Sequence, residues 1–349
     1  MTVGGTIGGV GTDPVEISTL EFDVLWEHYY GDAQIPLVLR VPSPGRTDEE
    51  RKRIVRGVWD ALAGRGLGSP VDAHPGLTHL LSLLRKPDRE IDGRLWLGDE
   101  PRLTGETQPG NEARLGNETQ PGSEARLGNE TQPGNEARLG NETQLSGETR
   151  LGNETQLSGE TRLGSEARLS NETQVSGETR LGGEVRLLAA ATGDEAVLAV
   201  LANGRLTLRP ADSTGLPRFA LSVLPRKQAG PGQSITLPTA DFEAAAKAAG
   251  KQDELAAALR ERGVRAGDAR TLADMIDDIV NRGQYGSATR DRWGRRVRAG
   301  RVISFFDTEA GRYLQVRRES PDTEPWTTIS PAAPRRLLQH LTDLHEEPH

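Results

Sequence analysis

Few residues in this chain have the type and spacing that chemistry needs. The six histidines are His28, His74, His79, His340, His345 and His349. The pairs 74/79 and 340/345 are five apart, which turns them toward different sides of a helix, so no convergent zinc ligand set is predicted. Cysteine is absent, which removes disulfides, thiolate metal sites and thiol nucleophiles. Neither a G-x-S-x-G elbow nor a G-x-x-x-x-G-K-[ST] loop occurs. Asp274, Asp277 and Asp278 border the apolar stripe Leu272, Met275, Ile276 and Ile279, the pattern of a solvated helix face. The stretch "RDRWGRRVRAGR" (290–301) carries six Arg and one Trp. It reads as a solvated hairpin or loop, with an acidic docking partner as its functional alternative. Nucleic-acid readout normally needs more interleaved aromatics and a basic domain. Phe305 and Phe306 adjoin in a strand, so their rings face opposite sides. One belongs to the core, while the other covers a helix layer or lines an open sheet face, where it would be a contact residue. The expectation is a binding protein, not an enzyme, with no cofactor, no metal and no nucleic acid.

The charge is unevenly placed. The chain of 349 residues has a formal net charge of −8. Residues 104–183 hold thirteen Glu, seven Arg, no Lys or Asp and no aromatic residue, so that segment alone carries −6. The flanks are nearly neutral and have the composition of an ordinary globular protein, which argues against general attraction to nucleic acid or an anionic membrane. The start, "MTVGGTIGGVGTDP", lacks a basic n-region and a long apolar run, and no stretch approaches the roughly 20 apolar residues of a membrane span. A soluble, cytoplasmic chain is expected, with a flexible tail over residues 1–13.

Within 104–183 Glu recurs every six residues from Glu106 to Glu178, and units often double into a near-identical twelve. Two readings stay open. One is a disordered insertion. The other is a hexapeptide β-solenoid, with Leu103, Leu115, Leu127, Leu139, Leu151 and Leu163 inward. Against the solenoid, Pro109, Pro121 and Pro133 take inward positions. Burying one Leu contributes roughly 1.5–3 kcal/mol, whereas ordering six backbones costs about 6–12 kcal/mol, so hydrogen bonding between coils would have to close the gap. The Asn-Glu-Thr triplets match a glycosylation acceptor by chance alone in a chain read as cytoplasmic.

The flanks of the repeat pair with one another. "EIDGRLWLG" (90–98) and "EVRLLAAATG" (184–193) alternate like strands, and "EAVLAVLANGRLTLRPA" contains the hairpin signal Asn203-Gly204. With 104–183 removed a meander remains, so the repeat reads as an expanded loop between paired strands. The organisation then occurs twice. "PVEISTLEFDVLWEHYY" is a strand and a helix capped at Ser18/Thr19; "QSITLPTADFEAAAKAAG" is a strand and a helix capped near Thr239. Helices are predicted over 48–65 and 75–85 in the first half, and over 253–262 and 269–282 in the second. Each half closes with strands and a Pro-marked helix, the second after a hairpin of 302–306 and 313–317. The prediction is an α+β fold of two similar halves related by a pseudo-two-fold, with a central antiparallel sheet and helices packed on it. The first half spans 14–103 and 184–226, the second 233–346.

The phrases "IDGRLWLG", "AVLAVLANGRLTLRP", "AGPGQSITLP", "RGQYG", "VISFFDTEAGRYLQV" and "WTTISPAAPRRLLQHL", in this order, resemble the EspG family of ESX, or type VII, secretion-associated proteins. The resemblance covers roughly 14–100 and 184–344. It implies a quasi-two-fold α/β fold and a cytosolic chaperone that keeps helical PE–PPE-type substrates soluble before export. It also implies partner contact through the central sheet, the loop between the second and third strands, and the C-terminal helical part. Carried onto this chain, that loop is the repeat, bounded by Trp96, Leu97, Val185 and Arg186. With Phe305 and Phe306 these are the candidate partner-binding residues. The alternative is a scaffold that acts through the repeat, or another partner-binding module.

Overall fold

Ser18 and Glu21 start the fold with a reciprocal cap. The Ser18 Oγ accepts the Glu21 N–H at 3.2 Å, and a Glu21 carboxylate oxygen accepts the Ser18 N–H at 2.7 Å. That capping box ends strand β1 (Val15–Ser18) and begins helix α1 (Thr19–Tyr30). The computed structural model describes residues 14–98, 183–249, 252–320 and 323–347, together with nine short strands between residues 125 and 180. The expected tail over 1–13 lies outside the described residues, as does the rest of the repeat up to residue 182.

After α1 come a 3-10 turn (Leu37–Leu39), α2 (Asp48–Gly64), α3 (Pro75–Arg85) and β2 (Arg89–Leu97). Thr47 caps α2 by accepting the Glu50 N–H. The repeat contributes β3 (Ala125–Leu127), β4 (Thr131–Gln132), β5 (Ala137–Leu139), β6 (Thr143–Leu145), β7 (Thr149–Arg150), β8 (Thr155–Ser158), β9 (Thr161–Leu163), β10 (Thr173–Ser176) and β11 (Thr179–Arg180). Then follow β12 (Gly183–Thr192), β13 (Glu195–Ala202), β14 (Arg205–Asp212) and α4 (Leu216–Leu221). The second half runs β15 (Ile235–Pro238), α5 (Thr239–Ala248), α6 (Gln252–Glu261), α7 (Ala266–Ile276), β16 (Asn281–Arg290), β17 (Arg296–Arg298), β18 (Ile303–Thr308), β19 (Gly311–Ser320), β20 (Thr323–Pro331) and α8 (Pro334–Glu346).

The large sheet has the order β1-β14-β13-β12-β2-β16-β18-β19-β20-β15, with β17 paired to β16 off this path. All of its pairings are antiparallel. Reading outward from the central β2–β16 pair gives the same sequence of elements in both directions, which is the pseudo-two-fold made explicit. The Asn203-Gly204 turn between β13 and β14 has φ of 50° and 72°, the double positive φ of a type I′ hairpin.

Three apolar clusters hold the layers together. On one face α4 and α8 cover the middle of the sheet, with Leu216, Ala220, Leu337, Leu341 and Leu344 against Leu95, Leu187, Leu198, Phe305 and Leu314. On the opposite face α1–α3 cover the first half, packing Trp26, Trp59, Leu81 and Leu84 on Leu188, Val197 and Leu208. Helices α5–α7 cover the second half, packing Leu259, Leu272 and Met275 on Phe306, Tyr313 and Ile329. Each half thus buries its own helices on that face, and the middle of the sheet is left between them.

A buried ion pair links the parts. Arg312 donates to both oxygens of Asp307, at 2.6 and 2.8 Å, with side-chain exposures of 4% and 0%. Asn281 also donates to Asp307 and accepts the Gly98 N–H at 2.7 Å. Arg312 donates in addition to the Pro225 carbonyl, in the segment joining the halves. The strand end that leads into the repeat, the second half and the inter-half segment therefore share one polar network.

Two sequence expectations change. The helix predicted over 269–282 ends at Ile276: Asp278 takes φ of 59°, and Asn281–Arg290 is instead the central strand β16. Thr239 does not cap α5; Pro238 is the N-cap residue, and the Thr239 hydroxyl pairs with that of Thr327 at 2.9 Å inside the fold.

Candidate functional site

Alternation along β2 gives the central strip its character. Ile91, Leu95 and Leu97 lie in the core under α4 and α8. Glu90, Asp92, Arg94 and Trp96 therefore occupy the other face, in the gap between the two helix layers. On β12, Glu184 stands opposite Trp96 and Arg186 opposite Arg94. On β16, Arg282 stands opposite Trp96, Gln284 opposite Arg94 and Gly286 opposite Asp92.

These charges are organised in pairs. Arg94 and Arg186 face each other, and Glu184 bridges them at 2.7 and 3.9 Å. Arg186 also donates to the Arg40 carbonyl at 2.7 Å, tying the strip to the segment that follows the 3-10 turn. Trp96 is half-buried and has guanidinium carbons of Arg94 and Arg282 at 6.0 and 5.2 Å from its ring centre, a cation–π arrangement. At the other end, β17 reaches over β16. Arg298 donates to both oxygens of Asp92 at 2.7 and 2.9 Å, and Arg296 donates to Glu90 at 2.6 Å. Hydrogen bonding to Asp92 is the main reason that Arg298 holds its proton more firmly than a free arginine, with the fields of Asp92 and Glu90 adding to it. Gly286 makes the clasp sterically feasible, since a Cβ there would lie 2.1 Å from an Arg298 nitrogen.

Against the first-half helices lies a cavity of about 800 Å3, lined by Glu90, Asp92, Arg94, Arg186, Arg296 and Arg298 and by apolar Leu37, Val38, Leu84, Leu188, Tyr285 and Val302. Leu37 is 77% exposed. The surface sets apolar side chains beside fixed charges. Among the described residues no group of three or more His, Asp or Glu is placed to hold a metal, and no helix is long and apolar enough to cross a membrane. Asp274 of the acidic group pairs with Gln252 and Arg270. His79 pairs with Glu195 and His345 with Ser287.

The six residues singled out from sequence separate into two groups. Trp96 and Arg186 lie on adjoining strands and on the same face, both half-buried. Leu97 and Val185 are 2% and 1% exposed on the reverse face, beneath α4 and α8. Phe305 and Phe306 do point to opposite sides, and neither reaches the surface. Phe305 packs 6.1 Å from Tyr285 in the core, and Phe306 stacks on Tyr313 at 5.2 Å under α5–α7. Sequence reasoning missed Arg282, Gln284 and Leu37, and had Arg296 and Arg298 only as members of the arginine-rich hairpin, without their partners Glu90 and Asp92. The period-two run Glu90, Asp92, Arg94, Trp96 was the available signal for a polar strip.

Comparison with known proteins follows the same lines. The family model described as ESX-1_EspG, the EspG family, matches residues 18–116 and 160–343. No curated protein matches the chain. Among solved structures, the chain is similar to the Mycobacterium tuberculosis type VII secretion system chaperone EspG5 in complex with a PE25–PPE41 dimer. The TM-score is 0.55 and the identity 15%, over 97% of this chain and 98% of that one. At that identity the likeness concerns the fold.

Proposed function

Since the chain belongs to the EspG family, we propose that it is a cytosolic chaperone of type VII secretion that holds a helical PE–PPE-type partner on the central strip. The observation that carries this reading is the strip itself: exposed Leu37 and fixed charges line its cavity, and Trp96 stands half-buried between two guanidinium groups on the same face, next to Arg94 of the cavity wall. A partner helix laid there would bury its apolar tip against Trp96, Leu37 and the cavity wall, and burial supplies most of such an affinity. An aromatic anchor flanked by arginine has the composition of an interface hot spot. Arg186 and Glu184 would set orientation at the rim more than they add to affinity. The related EspG5 was solved bound to a PE25–PPE41 dimer, which supports this partner class. The reading assigns no catalytic step to any residue.

The test is co-expression with a PE–PPE-type pair and co-purification. Wild-type protein is expected to carry the pair through size exclusion. Replacing a hot-spot residue costs about 2 kcal/mol or more, so Trp96→Ala should weaken Kd by roughly thirtyfold while thermal unfolding stays unchanged. Separate elution of the wild-type protein and every such pair would sink the proposal.

A further inference from the structure

The nine short strands of the repeat follow one rule. Every pairing among them is parallel, and every pair of partners is eighteen residues apart. Ala125 pairs with Thr143, Thr143 with Thr161 and Thr161 with Thr179. Ala137 pairs with Thr155 and Thr155 with Thr173; Thr131 pairs with Thr149. The strands form three separate ladders. Eighteen residues are three hexapeptides, so one coil uses three units and gives one strand to each ladder. The third position of the long ladders is Leu or Val throughout: Leu127, Leu145 and Leu163 in one, Leu139, Leu157 and Val175 in another. The β4–β7 ladder is two residues long, and Pro133, which follows β4 in sequence, has no N–H to extend it.

The middle position of each unit carries the less obvious information. It alternates Gln and Arg without a break from Gln108 to Arg162, a period of twelve. The coil has a period of eighteen. An odd number of units per coil against a two-unit sequence period sets Arg beside Gln between coils. The register shows this at Arg126–Gln144, Gln144–Arg162, Gln132–Arg150 and Arg138–Gln156. Neighbouring parallel strands are about 4.8 Å apart, and like charges directly opposite one another destabilise a ladder. Alternation doubles the spacing of arginine positions along a ladder to about 10 Å, one Debye length at about 0.1 M ionic strength and more than one in physiological salt. After Arg162 comes Arg168, and the alternation slips. Like pairs then occur at Gln156–Gln174 and Arg162–Arg180, next to β12.

We infer that the nine strands of the repeat are the sides of a three-sided parallel β-solenoid, and that the doubled twelve-residue unit keeps arginine positions of successive coils apart. A disordered tract gains nothing from the ratio of twelve to eighteen, whereas a stacked one depends on it. The Glu that precedes each of the nine strands in sequence recurs in every unit and is not alternated. Its repulsion between coils remains, so added salt should tighten the stack.

Two variants of the full chain separate the alternatives because they add the same charge to the same repeat. Gln144→Arg places four arginines in succession, at 126, 144, 162 and 180. Gln174→Arg sets its new charge beside Gln156 instead. Amide hydrogen exchange is read over 125–180, with β12–β14 of the same molecule as the folded reference. In wild-type protein the nine strands should exchange far more slowly than unprotected amides. Gln144→Arg should lower that protection roughly three- to tenfold at low salt and recover it in 0.5 M salt, while Gln174→Arg changes little. Unprotected exchange throughout 125–180 in the wild type would overturn the solenoid. Equal losses in the two variants would overturn the charge-spacing role.

Discussion

The pseudo-two-fold makes two connections equivalent: residues 99–182, between β2 and β12, and residues 291–302, between β16 and β18. The first lacks aromatic residues and has one Glu per unit. The second is an arginine-rich hairpin whose charges are almost all committed. Arg295 pairs with Asp291, Arg296 with Glu90, Arg298 with Asp92 and Arg301 with Glu347. Arg290 donates to the Pro87 and Gly294 carbonyls. Trp293 at its tip is 64% exposed with guanidinium carbons at 4.0 and 4.9 Å from the ring centre. Because β2 and β16 are antiparallel neighbours, the two connections leave the central pair at opposite ends. The fold therefore constrains the roots of these loops and leaves their length and chemistry open. The strip becomes polar in the geometric sense: it is clasped where Arg298 meets Asp92 and open where Trp96 stands.

If the roots matter more than the loops, the largest effect should come from the network that pins Gly98. Arg312→Ala leaves Asp307 charged, buried and without its main partner, and breaking such a pair costs about 3–5 kcal/mol. Urea unfolding of this variant should show a midpoint far below wild type; a loss within error would mean that the root is not the anchor described here.

Removing the long connection should matter less. Replacing residues 104–182 by a short Gly/Ser linker shortens the loop roughly sevenfold, and closure entropy then favours the folded body by about 2 kcal/mol at most. Calorimetry of the deletion variant should give an equal or slightly higher Tm for the body. A clear drop would show that the repeat supports the sheet instead of hanging from it.

The smallest expected effect lies at the hairpin tip. Partial burial pushes the Asp291 carboxyl up, but hydrogen bonds from Arg295, through its N–H and guanidinium, and from the Trp293 N–H hold it below the ordinary carboxylate range. A depressed folded-state pKa contributes stability above the unfolded value, near pH 4, and loses it as pH falls through the folded value. Acidification from pH 5 to pH 2 should therefore loosen the tip, read as a change in Trp293 fluorescence. Asp291→Asn should show that loosened state already at neutral pH.

Legibility from sequence differed between these regions for physical reasons. The β1–α1 junction and the β12–β14 meander were readable because capping residues, the Asn203-Gly204 turn and strict alternation are local signals. Strand β16 was not, although it lies at the centre of the sheet. Its sequence NRGQYGSATR has no apolar run, and its glycines answer to distant neighbours. A Cβ at Gly283 would meet Leu95 at 2.5 Å, and Gly286 makes room for Arg298. Trp96 and Arg186 stand out in the sequence because they border the insertion, and the structure sets them on adjoining strands of the same face. The clasp of Arg296 and Arg298 on Glu90 and Asp92 joins residues about two hundred positions apart, and nothing in local periodicity announces it. Phe305 and Phe306 were placed correctly on opposite faces, yet alternation cannot say whether a face is covered, and here both are.

The two margins of the large sheet, β1 and β15, are four residues each, and Pro238 closes the second. A strand from another chain seeking to extend the sheet finds barely one turn's worth of unpaired amides there before α1 or α5 folds away. A broad eleven-stranded β-platform, the kind of object whose exposed edges invite aggregation, thus ends in short strands at both rims and gives an incoming strand little to grip.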